Sequence, residues 1–225
     1  MRIRPSLLAF ALVAASPQAW AQTPPAPSND RPIEVAVQGS WVGPASFGSA
    51  NQNYTRPAGS PYPVFEAESS LGSGFGVEAN IGYPLAARLQ AELTGGWSRS
   101  SLQTKIDDDV EDADDVTLTE TLMRFSVEGA ALWTFLTRDR STVFLRGGGG
   151  WMRELAGSGA LVEDGFVANA GVGMKYWWGT ATPGQAKRIG LRVEGRLSIR
   201  SGGITLGEKS VRVAPIASGG LIFRF

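Results

Sequence analysis

The sequence predicts an all-β protein, an eight-stranded antiparallel up-and-down transmembrane β-barrel. The first observation behind this prediction is that eight segments alternate apolar and polar residues with a period of two, as strands with one apolar and one polar face do. The second is that the last of these segments ends on an aromatic residue, Phe225. The third is a short apolar stretch near the amino terminus that is typical of a secretory signal peptide.

The eight segments are similar in length. They cover residues 33–41, 75–83, 89–97, 125–133, 143–151, 168–176, 189–197 and 217–225. Each is about nine residues long, which is what a tilted strand needs to cross the hydrocarbon core of a bilayer. The mean hydropathy of the chain is −0.06, so a membrane-spanning chain of this composition has to hide its apolar surface in alternation. Eight strands closed into a ring also leave no unpaired edge in lipid.

Aromatic residues on the apolar face fall at two levels. If odd segments run outward and even segments inward, Trp41, Trp97 and Trp151 fall at the outer boundary. At the inner boundary lie five aromatic residues of the same parity, namely Tyr83, Trp133, Tyr176, Phe223 and Phe225. Two aromatic girdles at the two water interfaces are what a lipid-facing barrel requires. A soluble β-sandwich, the alternative, would place its tryptophans in a core.

The connections between segments alternate in length. The linkers after the second, fourth and sixth segments are short, and those after the other segments are generally longer and more polar. Short periplasmic turns and longer external loops are the asymmetry expected of such a barrel. The longest connections, residues 42–74 and 98–121, are therefore predicted to be external loops.

The amino terminus has the parts of a signal peptide. Arg2 and Arg4 precede an apolar stretch at residues 7–15, and residues 19–21 (Ala-Trp-Ala) have the small-x-small pattern of a cleavage site. The mature chain is then expected to begin at Gln22. An uncleaved membrane anchor is the alternative, but the apolar stretch is far shorter than the ~20 residues of a spanning helix.

Composition divides the chain into a signal peptide (1–21), a Pro-rich periplasmic leader (22–32) and one transmembrane barrel domain (33–225). The chain has 21 basic and 21 acidic residues, and this near-neutral balance gives no basic field that would attract nucleic acid. It has no cysteine, which excludes a lipoprotein anchor, disulfides and thiolate metal sites.

The signal peptide, the eight segments, the glycine-rich strands and the terminal stretch 221–225 (Leu-Ile-Phe-Arg-Phe) resemble the small bacterial outer-membrane β-barrel family. That family includes the OmpA transmembrane domain, OmpX and the opacity-type porin family. The resemblance is architectural and carries no catalytic motif. It implies the cell outer membrane of a Gram-negative bacterium, contact with outer-membrane lipids and lipopolysaccharide, and recognition by the barrel assembly machinery through Phe225.

The residues on the polar face of each segment point into the lumen, and several of those near mid-depth are charged. These residues are Glu78, Glu92, Glu128, Glu194, Arg146, Arg192 and Arg196. An eight-stranded barrel has an interior just wide enough for side chains to fill, and unpaired charges there would be very costly. We therefore expect these residues to form a lumen ion-pair network. The network is a packed plug that specifies register or, as the resemblance to OmpA suggests, the gate of a narrow pore. Proton or metal chemistry is the third alternative.

The residue composition limits the kinds of catalytic site that the chain can form. It has no histidine, whereas the outer-membrane barrel enzymes that it resembles use a histidine as acid or base. A Ser-His-Asp site and a histidine-bound metal are excluded, and a carboxylate-only site remains open in principle. We predict that the protein is not an enzyme and uses no cofactor.

The predicted external loops hold two further features. Residues 107–115 contain seven carboxylates in nine positions but lack the glycine of an EF-hand, so Asp107, Asp109 and Glu111 are only weak candidates for divalent-cation binding beside a solvated acidic loop. Residues 42–74 combine aromatic residues with prolines. An external ligand bound through 42–74 and 98–121 is one possibility, and a flexible loop is the other.

The predicted function is that of an outer-membrane barrel with a structural or surface-interaction role, a plugged polar lumen and exposed external loops. The alternative is a small-solute porin or a gated narrow channel. Both functions require the same lipid-facing barrel.

An epitope tag inserted at residues 107–115 should be accessible to antibody on intact cells, because this segment follows an outward strand that ends at Trp97. The measurement is surface labelling before and after rupture of the outer membrane. Labelling that requires rupture would reverse the predicted orientation.

Overall fold

The structure, a computed structural model, describes residues 32–54, 62–107, 116–157, 161–178, 188–202 and 211–225. The predicted signal peptide and all but the last residue of the predicted leader lie outside this described part. Within it, no helix is long and apolar enough to span a membrane.

Nine strands run through the described residues. They are β1 (Glu34–Val42), β2 (Ala45–Tyr54), β3 (Tyr62–Ala86), β4 (Leu89–Asp107), β5 (Val116–Arg138), β6 (Ser141–Ala156), β7 (Leu161–Trp177), β8 (Arg188–Gly202) and β9 (Val211–Arg224). Valine, isoleucine, tryptophan and phenylalanine alternate with polar residues along them, and such residues fit a pleated, half-buried surface.

A ring of eight strands closes through β1. This strand pairs antiparallel with both β3 and β9, so that Val37 lies opposite Ala79 on one side and Leu221 on the other. The remaining strands pair with their sequence neighbours in the order β3-β4-β5-β6-β7-β8-β9. The predicted eight-stranded antiparallel up-and-down barrel is confirmed.

A ninth strand lies outside the ring and was not predicted. β2 pairs with the first part of β3, from Ala45 opposite Leu71 to Tyr54 opposite Tyr62. The two strands form a hairpin that continues beyond one end of the ring. We call this the extended end, and we call the opposite end, where β1 begins and β9 finishes, the terminal end.

The predicted extent of the external loops 42–74 and 98–121 is wrong. β2 and the first part of β3 occupy most of the first loop, and in the second β4 runs to Asp107 while β5 begins at Val116. The β3–β4 ladder continues to Glu66 opposite Asp107. The apolar face marks only the part of each strand that meets lipid, whereas backbone pairing is also favourable in water and carries the strands further.

Two turns at the terminal end, those after β3 and β5, are short. Ala87 and Arg88 connect β3 to β4, and Asp139 and Arg140 connect β5 to β6. Asp139 has a φ of 43°, a left-handed conformation that aspartate tolerates in tight turns. Such turns fix the register of the strands that they join.

The outward face of the ring is an apolar belt. Large apolar side chains remain about half exposed there, as at Val37, Ile81, Leu93 and Val193. Contiguous apolar surfaces of more than a few hundred Å² mark membrane or protein contacts. Because this surface continues around the ring, it is built to face lipid.

Outward aromatic residues border the belt at both ends. Towards the extended end, Trp41, Trp97 and Trp151 are between 37% and 38% exposed. Towards the terminal end lie the outward side chains of Tyr83, Trp133, Tyr176, Phe223 and Phe225. Beyond Trp97 the outward residues of β4 become polar at Arg99 and Gln103, so on this strand the belt ends at the aromatic level.

Replacement of Leu93 by arginine should lower the free energy of unfolding by about 2–4 kcal/mol, because it places a charge in the middle of the lipid-facing belt. The measurement is urea unfolding of the protein folded in lipid vesicles. Leu93→Met is the control and should behave like the unsubstituted chain. Equal stability of the arginine and methionine variants would mean that β4 faces the other way.

Candidate functional site

The lumen is the candidate functional site, because the inward faces of the ring strands carry the buried charged side chains. The alternation that exposes Leu93 buries Glu92 and Thr94 on either side of it. Eight strands leave a lumen that side chains can fill. Charges placed there are shielded from water and must be compensated by one another.

Glu194 is the centre of the charged network. Its carboxylate lies 2.6 Å from Arg192 Nη2, 3.2 Å from Arg146 Nη1 and 3.6 Å from Arg196 Nη1. Alternation along β8 places three of these residues on one inward row, and Arg146 reaches the carboxylate from β6. The Glu194 side chain is fully buried, so its charge depends on these three guanidinium groups.

Two more glutamates join this centre. Glu92 accepts two hydrogen bonds from Arg192, one of them of 3.0 Å, and its other contact is Arg146 at 3.6 Å. Glu128 lies 3.7 Å from Arg146 and accepts a 2.5 Å hydrogen bond from Asn169 Nδ2. Arg146 thus lies within reach of three carboxylates.

The fourth glutamate completes the set. Glu78 accepts a hydrogen bond from Arg196 Nη2, and through Glu194 the structure brings all seven predicted lumen residues into one connected network. Neutral side chains extend it: Arg146 Nη2 donates to Thr94 Oγ1 at 2.9 Å, and Thr94 Oγ1 donates to Asn80 Oδ1 at 2.7 Å. Chains of this kind hold charged groups in fixed positions.

A second charged cluster lies at the terminal end. Glu34 accepts hydrogen bonds of 2.5 Å from Lys175 Nζ and 2.5 Å from Arg224 Nη2. Lys175 also donates to Gln90 Oε1 at 2.7 Å. The Arg224 guanidinium lies 4.2 Å from the ring centre of Trp177, a cation–π contact.

Apolar side chains pack among the charged groups at this end. Trp177 packs with Ala36 and Ile222, all of them at most 3% exposed. The fully buried ring of Phe144 lies 5.0 Å from the Arg192 guanidinium and 5.3 Å from Lys175 Nζ. Because Lys175 also lies opposite Arg192 in the β7–β8 register, the terminal cluster adjoins the charged network.

A third charged cluster lies towards the extended end. Arg124 donates to Glu154 Oε1 through Nε at 2.9 Å and through Nη2 at 2.6 Å. Arg212 Nη1 lies 3.9 Å from the other oxygen of Glu154. Arg200 is buried beside them.

The extended end of the lumen is closed by an apolar cluster, which we call the apolar cap. It contains Val42, Ala45, Leu71, Leu102, Leu122, Ala156 and Ala214, with Ile216 packed against it. These residues come from β2 and from six of the eight ring strands, so the cap crosses the mouth. The side chains of Leu71 and Ala214 are fully buried.

The third charged cluster, the terminal cluster and the cap are not among the predicted site residues. Glu34, Lys175 and Arg224 of the terminal cluster lie on the inward parity within the predicted segments. The signal for the third cluster and the cap is also present, because the inward parity continues beyond the nine-residue segments. On β5 it leads back from Glu128 to Arg124 and Leu122, and on β8 it leads on from Arg196 to Arg200. The predicted segments end at the aromatic levels. The lipid ends there as well, but the lumen continues beyond them.

The weak metal candidates lie at or beyond the edge of the described residues. Asp107 ends β4, and Asp109 and Glu111 lie outside the described residues. Just beyond the aromatic level of the extended end, Arg153 and Asp164 form an exposed pair with hydrogen bonds of 2.8 and 3.0 Å. The hydrogen bond from Arg153 lowers the pKa of the Asp164 carboxyl.

Two solved outer-membrane structures share this fold. Neisserial surface protein A matches with a TM-score of 0.50 and 15% sequence identity, over 86% of this chain and 97% of that one. The outer membrane protein OprG from Pseudomonas aeruginosa matches with a TM-score of 0.50 and 11% identity, over 87% of this chain and 96% of that one. No protein-family model matches the sequence, and no curated protein matches it. The chain therefore has the fold of small outer-membrane barrels.

Glu194→Ala should lower the free energy of unfolding by about 3–5 kcal/mol, because it leaves three buried guanidinium groups without their shared partner. Glu194→Gln should cost less, since it keeps the shape and some of the hydrogen bonds. Urea unfolding in vesicles measures both. Glu120→Ala, at an exposed position on β5, is the control, and a Glu194→Ala variant as stable as this control would contradict a network centred on Glu194.

Proposed function

We propose that the protein is an integral outer-membrane barrel that spans the membrane, presents its extended end to the exterior and does not conduct. The single observation that carries this proposal is the layered filling of the lumen. Apolar side chains lie at both ends of the charged network, with the cap on one side and Trp177, Ala36 and Ile222 on the other. A solute would have to displace both apolar layers and break buried ion pairs.

The outward face of the ring supports a location in the outer membrane. The apolar belt, its two aromatic borders and the ring without an edge are suited to a bilayer. The fold shared with Neisserial surface protein A and OprG agrees with this location. The terminal end, with its two-residue turns after β3 and β5, would then face the periplasm.

A surface-interaction role is supported by the length of the strands. β3 has 25 residues, which at about 3.3 Å per residue corresponds to ~80 Å of strand, whereas the hydrocarbon core is about 30 Å thick. Even a strongly tilted strand of this length projects beyond the bilayer. Residues 42–74 and 98–121 would supply the exposed surface for an external ligand.

Outer-membrane lipids and lipopolysaccharide are the proposed partners of the wall. Arg99 and Arg153 lie on the outward face just beyond Trp97 and Trp151. At this level a guanidinium can reach phosphate groups, to which it binds in a bidentate manner.

A non-catalytic role fits the chemistry available. The chain has no histidine, and histidine is the side chain whose unperturbed pKa lies near neutral pH.

A gated narrow channel is the second candidate, and one observation favours it. Arg146 lies within 3.2–3.7 Å of Glu194, Glu92 and Glu128. A cation shared by three carboxylates can exchange partners with little movement, and such an exchange could open a path. The apolar layers at both ends oppose this interpretation.

Purified protein inserted in a planar bilayer should show no discrete openings, because apolar side chains lie at both ends of the charged network. Insertion has to be verified separately by protease protection of the same membranes. A wide porin inserted under the same conditions is the control for detection. Discrete openings whose frequency changes in the Arg146→Gln variant would contradict the plugged barrel and support the gated channel.

A further inference from the structure

The buried charges of the described residues do not balance. Seven buried cationic residues, Arg124, Arg146, Lys175, Arg192, Arg196, Arg200 and Arg212, accompany six buried glutamates, Glu34, Glu78, Glu92, Glu128, Glu154 and Glu194. Arginine keeps its proton in proteins, so the excess cannot be removed by loss of a proton from a guanidinium. Among these buried residues, one positive charge therefore has no counter-charge.

Arg200 is the residue that carries this excess. It is 2% exposed, and among the described residues no side chain forms a hydrogen bond or ion pair with it, whereas each of the other buried cations has a carboxylate within 4 Å. In the β8–β9 register it lies directly opposite Arg212. Like charges at directly opposed positions repel one another.

A cavity lies beside this guanidinium. Its volume is about 40 Å³, and its lining includes Arg200, Ser198, Arg196 and Arg124. One water molecule needs about 10–15 Å³ of such volume, so the cavity has room for one monatomic ion with one or two waters. It lies between the charged network and the apolar cap, since its lining also reaches Glu78 and the cap-contacting Ile216.

Buried polar groups without a hydrogen-bond partner line this cavity. They are three donors, the Ser198 hydroxyl and the Arg196 Nε and Nη1 groups, and one acceptor, the Glu78 Oε2 oxygen. Ser198 is 1% exposed and Arg196 is 6% exposed. Donors together with an uncompensated cation are the surroundings that an anion requires, because each buried donor left unsatisfied is destabilising.

We propose that this cavity is a binding site for a monatomic, monovalent anion, a halide such as chloride, held by Arg200 and by the hydroxyl of Ser198. The anion neutralises the excess charge and separates Arg200 from Arg212. It is an integral part of the lumen filling rather than a transported solute. The glutamates of the lining are each paired with a guanidinium, Glu78 with Arg196 and Glu128 with Arg146, whereas Arg200 has no ion pair among the described residues.

The first experiment measures unfolding of the protein in vesicles while sodium bromide or chloride replaces sodium gluconate at constant ionic strength. A ligand that binds only the folded state raises the ratio of folded to unfolded protein about tenfold for each tenfold increase of its concentration above Kd. We expect this dependence in halide. Equal stability in halide and gluconate would overturn the site and favour a cavity filled with water alone.

Arg200→Met should abolish the halide dependence and leave the protein at least as stable in gluconate, because methionine removes the uncompensated charge. Arg153→Met, at the exposed pair, is the control and should keep the full dependence. A halide response that survives in Arg200→Met contradicts the assignment.

Crystals of the unsubstituted protein grown in bromide give an independent test that does not require a variant to fold. An anomalous difference peak is expected beside the Arg200 guanidinium, within hydrogen-bond distance of the Ser198 hydroxyl. Absence of this peak overturns the proposal whatever the unfolding data show.

Discussion

Closure of the ring by the pairing of β1 with β9 is the constraint on which the rest of the structure depends. In hydrocarbon an open strand edge would leave backbone N–H and C=O groups without partners, at a cost of several kcal/mol each. The seam is paired along its length, with Val37 opposite Leu221 and with Phe225 N donating to the Ile33 carbonyl at 3.0 Å. Once the seam is closed, each strand places alternate residues in lipid and in the lumen, and the lumen has to be filled by whatever the second face carries.

The filling of the lumen follows a consistent order. A charged network centred on Glu194 lies between apolar side chains near Trp177 and the apolar cap around Leu71. Because these layers exclude water from both directions, they strengthen the attraction between the charges that they enclose. They also raise the free-energy cost of an unpaired charge. The unpaired Arg200 is therefore more destabilising without a counter-ion here than it would be in a wide, hydrated pore.

The sequence predicts this structure only as far as local periodicity extends. The wall segment 89–97 and the facing of the seven lumen charges follow from a period of two. Which charges meet depends on strands far apart in the chain, such as those of Arg192 and Glu92, which are 100 residues apart, and no local pattern encodes that. The cap was missed because the pattern inverts beyond the lipid. At Leu102 and Gln103 the apolar residue points inward and the polar residue outward, as in a soluble sheet.

A charged lumen is not required for stability, since buried ion pairs are often no better than well-packed apolar residues of similar volume. We infer that its advantage is the definition of register. A slip of one residue in β8 would turn Arg192, Glu194 and Arg196 out into the lipid-facing belt, and each arginine near the midplane would cost about 2–4 kcal/mol. A strand that was apolar on both faces would lose almost nothing in the same slip. The inward charges therefore penalise every misregistered ring, and the ion pairs that form at the correct register compensate for most of their own burial.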